Sequence, residues 1–365
     1  MKQPNKKLKF RLINSLTLIL LTVIVACKPA QKDPELNFNH NRLDAKVDGL
    51  KIEAENPLTK MGVTDLWKKT TGKSADGNRV TIALVGTGID YTIPDLRDAL
   101  WINMGEYSEQ NRNNGVDDDG NGYVDDVIGY DFFSGDARPY DWNGHDTFTA
   151  SIIAATGREN SKIVGVAPNA QIMIARYIGP NGSGKGLDAV EAVTYAINNK
   201  AKIIYFNWPE GGFNAMETPL VVAAFKAAGE KNILVVTPAG NSGNHAVPAF
   251  IQLAARLPNV VVVAGLDQTG KIKATSNSGR NLALTAAPSV GAFGYLPGGS
   301  ISQDIQTTSV AAAYVTGAAA LLSTLPEMTS VQKLKAALLA ASGSRKANAE
   351  LIDVLSGGAL DLAGL

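Results

Sequence analysis

Cysteine is almost missing from this 365-residue sequence: there is one, Cys27, so no internal disulfide framework holds the fold. An excess of charge is missing too. Thirty-four acidic residues balance 34 basic ones, which leaves no electrostatic argument for nucleic acid or another polyanion as a partner. Beyond Val25 no apolar stretch is long and unbroken enough to span a bilayer. Internal repeats and low-complexity tracts are absent. What is abundant is small or apolar, with 45% hydrophobic residues and 36 glycines. That composition and length suit one large or two small well-packed α/β domains.

The N-terminus reads as a targeting segment. Lys2, Lys6, Lys7, Lys9 and Arg11 form a basic region, followed by a largely apolar run from Leu12 to Val25 that ends in small residues. Ile24-Val25-Ala26-Cys27 resembles the lipobox of bacterial lipoproteins, in which the cysteine becomes the lipidated first residue. The resemblance implies a signal peptide over 1–26; residues 27–65, polar and short of apolar periodicity, read as a tether ahead of a folded domain over 66–365. It also implies a membrane partner through the lipid, at a bacterial envelope. Lys28, rather than an Asp, follows the cysteine and favours the outer membrane or surface.

From Arg79 onward apolar runs alternate with helical patterns. Val80–Val85, Gln171–Arg176, Lys202–Phe206, Ile233–Thr237, Val260–Ala264 and Leu282–Ala286 are expected to be buried strands. Helical patterns cover Thr147–Ala155, Leu187–Asn198, Pro219–Gly229 and Ser330–Ala341. The alternation predicts a three-layer α/β fold, a parallel sheet with helices on both faces, and places functional groups at the carboxyl ends of the strands. Gln306–Thr324, QTTSVAAAYVTGAAALLST, is small or apolar on almost every face and is expected to be a helix buried all round. Ser309 falls at its N-terminus, either as a simple cap or as a nucleophile at an anion-stabilising helix end.

Two other stretches fall at strand ends or helix starts: Asn143-Gly144-His145-Asp146-Thr147 and Pro238-Ala239-Gly240-Asn241-Ser242-Gly243. An imidazole, an amide in a glycine turn and a hydroxyl are the parts of an acyl-transfer site. Taken in order they resemble the subtilisin-like serine peptidase family, as do VTIALVGTGIDYTIPDL (80–96), Ile163 to Pro168, Ser276 to Gly279 and Ala286-Ala287-Pro288. The resemblance covers about Leu66 to Leu362. It implies a peptide or protein substrate, with His145 as general base, Ser309 as nucleophile and Asn241 as oxyanion donor. The segment from Asn207 and Trp208 to Gly211 and Gly212 matches the family's substrate-pairing strand.

A carboxylate is missing where the family keeps one. The strand that usually ends in Asp-Thr-Gly here reads Gly86-Thr87-Gly88. In subtilisin, losing that Asp alone costs about 3 × 10⁴ in turnover, roughly 6 kcal/mol. Other departures are Asp146 for the Gly after the histidine, Thr307 for a Gly before the nucleophile, and Trp208-Pro209 in the pairing strand. The expectation is a severely impaired or inactive peptidase, raised in rate by an Asp restored at 86. One alternative is a pseudopeptidase that holds a peptide or partner protein. The other is an active endopeptidase with a substitute carboxylate, from Asp90 or Asp146. Asp146 is expected to be a poor orienter, because a neighbour at a helix start usually points away.

Asp117-Asp118-Asp119-Gly120-Asn121-Gly122 follows the first six positions of a calcium loop, with Asp125 at the ninth and Ile128 where a bidentate Glu belongs. Asp117, Asp119, Asn121 and Asp125 are therefore candidate calcium ligands; an Asx-rich turn is the other reading. No cofactor is expected for catalysis. The stretch from Cys27 to Val80 is short for the prodomain that such peptidases usually carry.

Overall fold

A computed structural model describes residues 32–36, 42, 44–158, 161, 163–343 and 358–365. Cys27 and the signal segment lie outside the described residues. Pro34–Leu365 forms one compact unit. In chain order its helices are α1 (Pro57–Lys60), α2 (Val63–Leu66), α3 (Pro94–Arg97), α4 (His145–Ala154), α5 (Gly186–Asn198), α6 (Glu217–Glu230), α7 (Ala249–Ala254), α8 (Thr308–Ser323) and α9 (Val331–Gly343). Its strands are β1 (Thr81–Gly86), β2 (Gly129–Asp131), β3 (Gln171–Arg176), β4 (Ile203–Phe206), β5 (Leu234–Pro238), β6 (Val260–Leu266) and β7 (Thr285–Pro288), with a small antiparallel pair β8 (Gly294–Tyr295) and β9 (Ile301–Ser302).

The seven long-sheet strands are parallel, in the order β2-β3-β1-β4-β5-β6-β7. Val- and Ile-rich runs buried on both faces give strands such as VVVVAGL, which a sheet covered by helices on each side requires. One core lies between the sheet and α4 and α8, where Phe148, Ile153, Val310, Val315 and Leu321 are fully buried. The other lies beneath α5, α6 and α7, around Tyr195, Phe206, Phe225 and Phe250. Burying each Val, Leu or Phe contributes about 1.5–3 kcal/mol.

Helix α8 is buried along nearly its whole length. Its small residues allow that closeness: a Cβ on Gly317 would run into the Val166 side chain. The compact unit also takes in part of the expected tether. Leu58, Met61, Val63 and Leu66 are buried, and Trp67 Nε1 donates to the Val166 carbonyl at 2.7 Å. The expected strand at Leu282 begins only at Thr285, because the N–H groups of Leu282 and Ala283 close a turn on Gly279 O. The three-residue β2 is too short and glycine-led to show in the hydrophobic pattern. Among the described residues no helix is long and apolar enough to cross a membrane.

Candidate active site

The carboxyl ends of β1, β4 and β5 and the N-termini of α4 and α8 meet around one cleft of about 560 Å³, lined by His145, Asn207, Trp208, Asn241, Thr307 and Ser309 among others. Asp141 builds the start of α4. Its buried carboxylate accepts the N–H groups of Asn143, Gly144 and Thr147 and the Thr147 hydroxyl. Burial, then the nearby Asp146 charge, pushes the Asp141 carboxyl up from its ordinary pKa, and those donors pull it back. This cap fixes His145 as the first residue of the helix.

Asp146 does not point away from its neighbour. His145 Nδ1 lies 2.6 Å from Asp146 Oδ1. Asn207 Nδ2 donates to that same oxygen at 2.6 Å, and the Thr87 N–H donates to Oδ2 at 2.6 Å. The Asp146 N–H in turn donates to Thr87 Oγ1 at 3.0 Å. Helix geometry alone predicts a divergent carboxylate; donors arriving from β1 and β4 redirect it. Gly86 supplies the room. A Cβ there would sit 2.9 Å from Asp146 Cγ and well inside contact distance of Oδ2. The two departures from the family pattern, Gly86 for Asp and Asp146 for Gly, are thus one exchange: the carboxylate enters the same space from the other side. Asp90, the other substitute, is tied up by Thr92 and the Gly298 N–H.

His145 keeps 27% of its side chain exposed, whereas that of Asp146 is fully buried. Burial acts to lower the imidazole pKa, but the hydrogen bond and charge of Asp146, with Asp141 behind, outweigh it and raise the pKa above 6.5.

Ser309 occupies the first turn of α8, where the Tyr205 hydroxyl holds its carbonyl at 2.9 Å. The Thr308 N–H donates to Asn241 Oδ1 at 2.9 Å, and Asn241 lines the cleft. Asn277 braces that turn through the Ala239 carbonyl, Ser242 and Asn244. Gly240, at φ 98°, permits it: a Cβ would meet Asn277 Nδ2 and the Trp208 ring. Thr307 in place of glycine carries no backbone strain, since its φ of −132° is ordinary extended backbone.

Of the expected substrate-pairing residues, Asn207, Trp208 and Gly211 line the cleft. Gly212 faces Pro248 and Phe250 instead. Asn207 points its amide at Asp146, and its carbonyl accepts the Tyr177 hydroxyl at 2.6 Å.

Asp117 accepts the N–H groups of Asn121 and Gly122, and Asp125 those of Asn114 and Gly115, and neither belongs to the carboxylate cluster of this region. Asn121 turns its amide nitrogen, not its oxygen, toward Asp119 and Asp126. The carboxylates that do converge are Glu106, Asp119 and Asp126, with an oxygen of each within 4.8 Å of the others. Glu106 and Asp126 are fully buried. Glu106 Oε1 accepts the N–H groups of Asp118 and Asp119, while Oε2 has no partner. Burial pushes Asp126 up to about 6 and Glu106 upward as well. An all-oxygen set with an orphaned buried atom fits a hard divalent cation such as calcium. Of the four expected ligands only Asp119 belongs to this cluster; Glu106 lies outside the loop motif, and Asp126 is the neighbour of the expected Asp125.

A hydroxyl at a helix start, an imidazole with a buried carboxylate and an amide line one cleft, the groups that a serine hydrolase uses. Residues 77–355 match the subtilase family, Peptidase S8, and the chain belongs to it. It is 32% identical to a thermophilic serine proteinase of Bacillus sp. (strain AK1) over 70% of this chain and 54% of that protein. It is 30% identical to thermitase of Thermoactinomyces vulgaris over 68% of this chain and 76% of thermitase. The chain thus spans only about half of the first of these relatives. The crystal structure of a cold adapted subtilisin-like serine proteinase superposes with a TM-score of 0.58 at 20% identity, covering 80% of this chain and 91% of that one. The fold is the subtilisin-like one.

Proposed function

We propose that the chain is a serine endopeptidase in which Asp146 supplies the carboxylate behind the general base. Ser309 Oγ attacks the scissile carbonyl while the free nitrogen of His145, Nε2, takes its proton. Asp146 holds the Nδ1–H tautomer and stabilises the imidazolium that forms. Asn241 Nδ2 donates to the oxyanion. His145 then passes the proton to the leaving amine, and water attacks the acyl-enzyme by the reverse sequence. The observation that carries this reading is the 2.6 Å contact of Asp146 Oδ1 with His145 Nδ1, made through the space that Gly86 leaves. Impairment was expected for want of a carboxylate, and Asp146 removes that reason.

A second reading, a protein that holds a peptide without cutting it, draws on Pro209. That residue lacks the N–H an added substrate strand would use. The test is fluorophosphonate labelling of a chain comprising 28–365, together with hydrolysis of an unstructured protein, with Ser309→Ala as blank. Labelling and turnover that both vanish in Ser309→Ala are expected; a native chain inert in both assays leaves the holding function.

The lipidated Cys27 is likewise proposed, as an anchor at the outer face of a bacterial envelope, on the strength of the basic, apolar and small-residue pattern before it. Calcium is proposed to be held by Glu106, Asp119 and Asp126, where it would neutralise buried carboxylates and stabilise the insert.

A further inference from the structure

We infer that Trp208 sets specificity, restricting the residue on the acyl side of the scissile bond to glycine or alanine; this rests on the endopeptidase reading above. Stereochemistry fixes which part of the cleft that residue enters. His145 must reach the leaving amine, so the leaving side faces α4 and the end of β1. With the carbonyl oxygen on Asn241, the acyl-side side chain is directed away from His145, into the recess between the segments that follow β4 and β5. That recess is walled by Trp208, Pro209, Pro238, Gly240 and Pro248.

The indole lies across one side of it. Its Cη2 and Cζ2 would lie 2.9 and 3.2 Å from a Cβ on Gly240, so the ring rests on the Gly240 backbone. Nε1 donates to the Pro238 carbonyl at 3.3 Å, which ties the ring from the end of β4 to the end of β5. Phe250 packs edge-to-face behind it, with centroids 5.4 Å apart. Held on three sides, the ring cannot swing aside for a large side chain without giving up all of these contacts. A methyl group fits over it; a benzyl or isobutyl group competes for the same space.

The experiment compares matched peptides that differ only in Gly, Ala, Leu or Phe before the scissile bond. For the native chain kcat/KM for Ala should exceed that for Phe by about tenfold or more, the scale of apolar pocket discrimination. Trp208→Ala should reverse the order, and Trp208→Leu, which keeps apolar bulk against Phe250, should fall between. Binding of the same peptides to Ser309→Ala, with and without Trp208→Ala, gives a readout that needs no turnover. If that preference follows residue 208 while the native chain cuts nothing, the inference stands and the endopeptidase reading fails. Equal handling of Ala and Phe, unchanged in Trp208→Ala, overturns the inference whether or not the chain is active.

Discussion

Adding one methyl group at Gly86 separates a displaced carboxylate from a missing one. If residue 86 merely lacked its Asp, Gly86→Ala would be neutral, since neither side chain is charged. In the structure the new Cβ falls 2.9 Å from Asp146 Cγ, against about 3.5–4.0 Å for carbons in contact. Asp146 must retreat by more than half an ångström, and it is held by Thr87, Asn207 and His145. Hydrogen bonds to a charged group contribute about 1.5–3 kcal/mol each, so the retreat strains several at once. Loss of the orienting carboxylate bounds the effect at about 3 × 10⁴ in turnover, or ~6 kcal/mol. We expect Gly86→Ala to lose between about 10² and that limit in kcat/KM, and overpacking to cost about 1–3 kcal/mol of stability. Gly86→Asp alone crowds two carboxylates into one pocket, where charges about 4 Å apart repel by ~4 kcal/mol, so it should lower the rate instead of raising it. The exchange Gly86→Asp with Asp146→Gly should recover much of the activity. The assay is hydrolysis of a chromogenic peptide, with circular dichroism melts to check folding. A folded Gly86→Ala chain with native kcat/KM refutes the reasoning.

Asp146→Asn tests the same carboxylate through pH. His145 must be neutral to act as base, so the raised pKa puts the acid limb of the rate profile above 6.5. Removing that anion leaves burial opposed only by the more distant Asp141, and the limb should move to lower pH while the maximal rate falls by about 10⁴. Calcium should raise the melting temperature, a chelator should lower it, and Glu106→Gln should shrink that difference while Asp117→Asn leaves it intact. Cys27→Ser should release the chain from membranes on fractionation; unchanged membrane retention refutes the anchor.

The sheet was legible because its strands are apolar runs buried on both faces, and α8 because it is apolar all round. His145, Asn241 and Ser309 were legible through short motifs at strand and helix ends. What stayed hidden depends on contacts between segments far apart in the chain. The Asp146 carboxylate is turned by Thr87 and Asn207, and no local pattern encodes their approach. The bond from Asn207 to Asp146 was hidden because the target of its amide comes from α4, far along the chain. Glu106 was missed because a loop motif counts along the chain, whereas the cation candidates converge in space.

In the family's pattern the imidazole and its anion come from separate elements, a helix and a strand, so any breathing between them pulls the pair apart. Here they share one peptide bond. If α4 lifts from the sheet, both leave together, but the carboxylate also loses Thr87 and Asn207, the donors that turn it toward the ring. The pair therefore settles its tautomer only once the first turn of α4 has docked against the ends of β1 and β4. Docking against Thr87 and Asn207 then becomes the one step that both assembles the base and aims it at its nucleophile.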